Sequence, residues 1–274
     1  MPKTVIRLGV PPFLNTLPLI TALEYETDLS VFEILQSPPS ALCPLMESGD
    51  IDISLLPAAD IFERPGLRIL KGVCISSFGK VGSVAVFSKK PIAEIQTVAV
   101  DSGSSSSAMM LRIALEIFHG TSPEYKKREY GKDFFSGVDA GLVIGNTGLT
   151  LSSAPPEGFP FVFDLGEVWT KKTGLPFVYA VFAARSGFDP FDAPEALIAA
   201  KKRGLEMANE IARRGAGELN IGADICLDYI TNKIKYDLGG AEIEGMLKFG
   251  ELAARLKQSP AEVSINFYER TRTE

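Results

Sequence analysis

The segment VAVDSGSSSSAMMLRIALEIFHG, residues 98–120, contains in one short stretch the pattern on which most of the chain is built. A short apolar strand ends at Asp101, a loop with four consecutive serines follows, and an amphipathic helix begins directly after them. A strand, a loop of small residues and a helix in this order are typical of α/β proteins. The segment also predicts hydroxyl groups where the helix begins.

Similar strand and helix patterns lie on the N-terminal side of this segment. Apolar strands are predicted at 4–10, 31–37 and 51–60, and helices are predicted at 15–26 and 39–50. Strands that alternate with helices favour parallel pairing within a sheet.

Two longer apolar strands, about 81–89 and 177–185, lie outside this alternation and are predicted to cross between two lobes. The chain after them is predicted to be helical. Asp192 and Glu195 form a capping-box pattern before a long helix that Gly215 is expected to end. Two further helices are predicted at about 222–236 and 240–257.

The order of elements therefore predicts an α/β protein with a two-lobed type II periplasmic-binding-protein-like fold and two crossing hinge strands. Lobe I is predicted to comprise residues 1–86 and 184–274, and lobe II residues 87–183. A single doubly wound sheet is the alternative architecture.

Composition excludes several classes of function. The 274 residues include 28 basic and 34 acidic side chains, and the net charge of −6 disfavours nucleic-acid binding. Three separated cysteines (Cys43, Cys74 and Cys226) and a single histidine do not form a metal-ligand pattern, so no metal is expected and the cysteines are predicted to be reduced and buried. No apolar stretch approaches the roughly 20 residues that span a membrane, and no export signal precedes the first strand. We therefore expect a cytoplasmic protein, and a homodimer is compatible with the sequence.

Ligands of α/β sheets bind beyond the carboxyl ends of the strands, where loops lead into helices. In this chain those positions carry neutral hydrogen-bonding groups rather than acids and bases. The candidate ligand-binding residues at these ends are Asn15, Thr16, Ser37, Ser104, Ser106, Ser107, Gly145, Asn146 and Thr147. Ser83, early in the strand predicted at 81–89, is a further neutral hydrogen-bonding candidate.

The serine run has a functional and a structural interpretation. Hydroxyls beside the unpaired N–H groups at a helix N-terminus make a neutral cradle for an anion. One serine alone would cap the helix, and four exceed that need. The pattern therefore favours a small anionic ligand, and any chemistry would depend on positioning and polarisation.

Two other features are predicted to be structural. Asp164 and Glu167, on either side of the glycine in DLGE, are interpreted as helix-capping residues rather than as a catalytic carboxylate pair. Trp169 is interpreted as a packing residue beneath the hinge.

Motifs in one consistent order along nearly the whole chain resemble the chorismate dehydratase family of the futalosine route to menaquinone. They are FLNTLPL (13–19), PPSALCPLMESGDIDISLLPAAD (38–60), ISSFGKVGSVAVFSKKPI (75–92), TVAVDSGSSSSAMMLRI (97–113), LGEVWTKKTGLPFVYAVFAAR (165–185) and YITNKIKYDLGGAEIEGM (229–246). A sister family, dihydroxynaphthoate synthase, shares the fold and the TGLP signature.

The resemblance implies that chorismate loses water and becomes 3-[(1-carboxyvinyl)oxy]benzoate without a redox cofactor or metal. It implies that Asn15 is the catalytic residue beside the ring and that Ser106 and Ser107 bind a substrate carboxylate. Ser83, Thr147 and the turn at Pro176 would line the cleft. A carboxylate of the substrate itself would serve as the base.

The sequence departs from the usual family pattern at four positions. Phe13 replaces a tyrosine, Gly82 an arginine, Asn146 an aspartate and Ala58 a serine. Two alternatives therefore stay open: an enzyme of the dihydroxynaphthoate synthase type, and a non-catalytic binding protein for a small carboxylate.

Overall fold

A computed structural model describes residues 5–25, 32–101, 103, 105–256 and 263–270. Within these residues, ten strands form two five-stranded sheets. The strands are β1 (Ile6–Val10), β2 (Phe32–Gln36), β3 (Ile53–Pro57), β4 (Arg68–Ser77), β5 (Ala85–Ser88), β6 (Thr97–Asp101), β7 (Glu124–Arg128), β8 (Ala140–Val143), β9 (Phe161–Asp164) and β10 (Phe177–Ala184).

Helices connect the strands and form the C-terminal part of the described chain. The α-helices are α1 (Leu17–Tyr25), α2 (Pro39–Glu47), α3 (Ala58–Glu63), α4 (Ser105–Arg112), α5 (Gly145–Ser153), α6 (Leu165–Thr173), α7 (Ala193–Glu206), α8 (Ala208–Leu219), α9 (Ala223–Asp228) and α10 (Gly240–Arg255). A 3-10 turn at Leu14–Thr16 leads into α1, and π-helical turns extend α4 at Ile113–Phe118 and α9 at Tyr229–Lys233. No helix in the described part of the chain is long and apolar enough to cross a membrane.

The two sheets share one plan. The first has the order β2-β1-β3-β10-β4 and the second β7-β6-β8-β5-β9. In each, three strands run parallel, and the fourth strand is antiparallel to its neighbours. The antiparallel strands β10 and β5 are the two that follow the crossings between the sheets, so the predicted two-lobed fold, in which the chain crosses twice between the lobes, is confirmed.

Strand pairing also shows where the chain leaves each sheet. The predicted lobe boundaries at 86/87 and 183/184 fall inside β5 and β10, which belong wholly to the second and the first sheet. Sheet membership alone limits the first boundary to residues 78–84 and the second to residues 165–176. We propose these segments as the division between the lobes.

Trp169 packs beneath the hinge as predicted. Its side chain is fully buried, and its indole Nε1 donates a hydrogen bond to the Pro176 carbonyl oxygen at 3.1 Å. The rings of Phe177 and Phe249 lie 5.1 and 6.2 Å from it, centroid to centroid. The three cysteines are free and buried.

The helical segment after β10 differs from the prediction. The predicted single helix is two helices, α7 and α8, with a break at Met207, and the Asp192 side chain makes no capping hydrogen bond. Gly215 lies inside α8 and does not end the helix. Its missing side chain leaves room for Leu14, whose side chain a Cβ atom would overlap. The helix ends instead at Asn220 in the left-handed conformation.

Close approach of α7 to α1 depends on Gly204. A Cβ atom at this position would overlap the carbonyl oxygen of Pro18, which is backbone and cannot swing away. We expect Gly204→Ala to lower the free energy of unfolding by about 1–3 kcal/mol. Urea denaturation measures the change.

Gly217, an exposed glycine of α8 with open space around its Cα, is the matched control. Gly217→Ala removes backbone entropy of the unfolded chain and should raise the free energy of unfolding by about 0.5–1 kcal/mol. Equal effects of the two substitutions would contradict the close packing of α7 on α1.

Candidate ligand-binding and active site

A pocket lies between the two lobes at the carboxyl ends of strands from both sheets, as the α/β rule predicts. Its cavity volume is about 80 Å³. Among its described lining residues none carries an ionised side chain. They are Pro11, Phe13, Asn15, Pro39, Leu55, Pro57, Ile75, Val81, Ser83, Val84, Ser107, Ile144, Gly145, Tyr179, Ala180 and Ile234.

Positive potential reaches this neutral pocket from helix N-termini. Asn15 lies in the 3-10 turn before α1, Ser107 lies in the first turn of α4, and Gly145 begins α5. Pro39 begins α2 but has no N–H of its own, so at this residue α2 contributes through its dipole alone. The first N–H groups of a helix have no intrahelical partner, and the helix dipole adds partial positive charge there. The pocket is therefore suited to an anion without burying a cationic side chain.

Asn15 and Ser83, two predicted site residues, line the pocket and share a hydrogen-bond partner. The Asn15 Nδ2 atom lies 2.9 Å from the Tyr229 hydroxyl, which in turn lies 2.8 Å from Ser83 Oγ. All three side chains are buried. Burial raises the pKa of Tyr229, so this phenol stays protonated at neutral pH.

Neighbouring serines of the run have different surroundings. Ser107 lines the pocket, whereas the Ser106 hydroxyl accepts a hydrogen bond from the N–H of Ala59 in α3, at 3.0 Å. Ser106 therefore bridges the two lobes. Ser104 lies outside the described residues.

Asn146 also bridges the lobes. Its Oδ1 atom accepts a hydrogen bond from the N–H of Leu14 at 2.8 Å, and its Nδ2 atom donates to the Pro12 carbonyl oxygen at 3.4 Å. An aspartate could make the first contact but could not donate the second. The neutral amide at this position thus fits both groups, and it points away from the pocket lining.

The other predicted binding residues are distributed around the pocket. Gly145 lines it with φ at +61°, and the Phe13 ring occupies the space where a side chain would stand. Thr16 is fully buried behind Asn15. Ser37, Thr147 and Pro176 are not among the residues that line the pocket as it stands, so their substrate contacts stay predictions.

Two of the departures from the family pattern have a local explanation. Gly82 has φ at +82°, and a Cβ there would lie 3.3 Å from the Lys233 side chain, so this lysine occupies the adjacent space. Ala58 is fully buried as the first residue of α3. The lysine amino group is 3.2 Å from Asp228.

Asp164 ties the hinge to the pocket. Its carboxylate accepts hydrogen bonds from the N–H groups of Glu167 (3.0 Å), Val81 (3.1 Å) and Gly82 (2.6 Å). It therefore caps α6, as predicted, and also holds the crossing segment next to Ser83. Burial raises the pKa of Asp164, while the three N–H donors lower it in part.

Replacing Asp164 with asparagine should weaken this junction. In Asp164→Asn one carboxylate oxygen becomes an NH₂ group, so an N–H donor faces another donor. We expect the free energy of unfolding to fall by about 1–3 kcal/mol. Denaturant titration followed by tryptophan fluorescence reports the loss, because Trp169 lies in the same helix.

Glu167→Gln provides the comparison, since this neighbouring acid is partly exposed and pairs with Lys171 at the surface. Its effect should stay within about 0.5 kcal/mol. A similar loss in both variants would show that stability depends on negative charge at the N-terminus of α6. It would contradict a specific contribution of the hydrogen bonds from the N–H groups of residues 81–82 to Asp164.

Sequence reasoning missed Tyr229 and Tyr179. Tyr229 is the first residue of the C-terminal YITNK motif, which was a signal of family resemblance without an assigned role. Its contact with Asn15 joins residues at opposite ends of the chain, and no local pattern reports such a contact. Tyr179 lies in β10, where an aromatic residue is also ordinary core packing; its hydroxyl contacts Ser77 Oγ at 3.0 Å.

Two α/β lobes around a neutral, dipole-lined pocket define the class of periplasmic-binding-protein-like folds, and solved structures agree. The chain is similar to the periplasmic aliphatic sulphonate binding protein SsuA of Escherichia coli (14% identity, TM-score 0.65, 100% of this chain and 96% of that chain). It is also similar to the Candida albicans CA3427 gene product, which has the generic periplasmic binding protein fold. That protein is 13% identical with a TM-score of 0.65, and the match covers 98% of this chain and 99% of that chain. At these identities the likeness concerns the fold alone.

The family follows from the sequence. Residues 6–255 match the family described as menaquinone biosynthesis, and the chain belongs to that family. A chorismate dehydratase of Thermus thermophilus is 29% identical over 259 residues, which cover 89% of this chain and 93% of that protein.

Proposed function

We propose that this protein is a chorismate dehydratase acting in the cytoplasm. The observation that carries the proposal is the neutral pocket at several helix N-termini, in a chain of the menaquinone biosynthesis family. The similarity to the Thermus thermophilus enzyme along most of both chains supports the same reaction.

The pocket suits the chemistry of chorismate. This substrate carries two carboxylates, and helix N-termini stabilise anions through N–H groups and dipoles. Ser107 in the first turn of α4 and the N-terminus of α5 at Gly145 are the positions that we assign to the carboxylates.

Loss of water breaks a C–H bond at the ether-bearing ring carbon and the C–O bond at the adjacent carbon, and the ring becomes aromatic. Atoms and electrons balance without an oxidant, so we propose a hydro-lyase that needs no cofactor. Because no ionised side chain lines the described pocket, we assign proton removal to a carboxylate of the substrate. Asn15 and Ser83 would orient the ring and stabilise the departing hydroxide with hydrogen bonds.

Incubation of the purified protein with chorismate tests the proposal. Mass spectrometry should find a product lighter by one water molecule, with the absorbance of a substituted benzoate. A shift in melting temperature with no product would favour a binding protein. Turnover only of a later intermediate of the same pathway would favour the dihydroxynaphthoate synthase alternative.

Asn15→Ala should abolish turnover without abolishing binding. We expect kcat to fall at least about 100-fold, the loss typical of removing one preorganised hydrogen-bond donor. Isothermal titration with the benzoate product should still give measurable affinity. Unaltered turnover would reject the catalytic role of Asn15.

Ser107→Ala and Ser106→Ala should separate ligand binding from stability. Ser107→Ala removes a hydroxyl that faces the pocket, so KM for chorismate should rise about 10-fold. Ser106→Ala leaves the Ala59 N–H unpaired and should lower the free energy of unfolding of the unliganded protein by about 1–3 kcal/mol. If Ser107→Ala leaves KM unchanged, the carboxylate does not bind at α4.

A further inference from the structure

A hydrogen-bonded chain of three side chains lies along one wall of the pocket. The Asn15 amide, the Tyr229 hydroxyl and the Ser83 hydroxyl follow one another at 2.9 and 2.8 Å. Asn15 and Ser83 line the pocket, and Tyr229 lies behind them, outside the lining. The phenol therefore contacts both groups that face the ligand without facing it itself.

The chemistry of a phenol determines which group donates and which accepts along this hydrogen-bond chain. A protonated phenol has one hydrogen, which Tyr229 donates to Ser83 Oγ, so its oxygen can only accept from Asn15. Asn15 must then turn its NH₂ group toward Tyr229. Its Oδ1 atom lies on the side of the Thr16 hydroxyl, at 3.5 Å.

The same direction determines which hydrogen-bond donors face the pocket. Ser83 Oγ accepts from Tyr229 and makes no second hydrogen bond within the described chain, so its own hydrogen is free. Asn15 likewise keeps one hydrogen on Nδ2 after the other is donated. Both groups can therefore act as donors toward a bound oxygen atom.

Local structure holds Tyr229 in this position. A π-helical turn begins at Tyr229 and is closed by the Ile234 N–H, which donates to the Tyr229 carbonyl oxygen at 3.0 Å. Ile234 itself lines the pocket. Isolated π turns recur at functional sites because they shift a side chain out of regular helical register.

We propose that Tyr229 is a positioning residue that makes Asn15 and Ser83 hydrogen-bond donors toward the ligand. The identity of the receiving oxygen, the hydroxyl that leaves chorismate, rests on the proposed function. The direction of the hydrogen-bond chain does not.

Tyr229→Phe removes the phenol oxygen and keeps the ring. The Asn15 amide is then free to rotate, and Ser83 loses its donor. We expect kcat to fall about 10- to 100-fold, as when an outer hydrogen-bond partner of an active-site group is lost, while KM changes by less than about three-fold. A loss of binding with unchanged kcat would contradict a positioning role.

Tyr236→Phe is the matched control. Tyr236 is also buried, yet its hydroxyl has no hydrogen-bond partner in the described structure. Removing it should leave kcat within about two-fold of the wild type. Melting temperatures of both variants show whether either effect reflects unfolding, and a comparable fall of kcat in both would overturn the assignment to Tyr229.

Hydrogen exchange of the Asn15 side-chain amide tests the direction of the hydrogen-bond chain without depending on turnover. In ¹⁵N-labelled protein, one Asn15 Nδ2 hydrogen should exchange slowly with solvent, and its signal is assigned by its absence in Asn15→Ala. In Tyr229→Phe that protection should disappear, and in Tyr236→Phe it should remain. Unchanged protection in Tyr229→Phe overturns the proposal, whereas absent chorismate turnover in the wild type with lost protection in Tyr229→Phe overturns only the proposed function.

Discussion

Helix N-termini around the pocket have N–H groups that no residue of their own helix can accept, and much of the structure depends on how those groups find partners. Asn146 accepts from Leu14 before α1, and Ser106 accepts from Ala59 in α3. Each acceptor comes from the opposite lobe. These contacts between the lobes therefore also satisfy N–H groups at helix starts, and the N-termini of α4 and α5 lie at the pocket.

Hydrogen bonds at the hinge also fix one wall of the pocket. Asp164 holds the N–H groups of Val81 and Gly82, and the next residue, Ser83, is held from the other side by Tyr229. Ser83 is thus fixed by its backbone neighbours and by its side chain. The negative charge of Asp164 is engaged by backbone donors and lies outside the lining, so the pocket remains neutral.

A neutral, preorganised pocket matches a reaction that needs orientation more than strong acids or bases. Buried dipoles require no rearrangement when charge develops on the substrate, which is why they stabilise a transition state effectively. A buried lysine or arginine would have required a compensating acid. Fixed amides, hydroxyls and helix ends suit the anion binding that we propose, and they need no compensating charge.

Much of this organisation could be predicted from local patterns. Alternating strands and helices indicated two α/β lobes, because periodicity reports which face of each element is buried. The strand ends indicated Asn15 and Ser107, since the topology of such sheets brings those ends together, and the family resemblance indicated Ser83. The capping role of Asp164 followed from its place before α6. The lobe boundaries stay a prediction, because strand pairing, which assigns β5 and β10 to their sheets, cannot be deduced from single strands.

The sequence by itself determined the class of fold and the neutral character of the described pocket lining, because both depend on residue type and spacing. Only the tertiary structure decided that Ser106 bridges the lobes while Ser107 faces the pocket, although the two are adjacent in an identical run. It alone brought Tyr229 to Asn15. The physical reason is that direction within a helical turn and contact across more than two hundred residues are set by packing of the whole chain, which no local pattern contains.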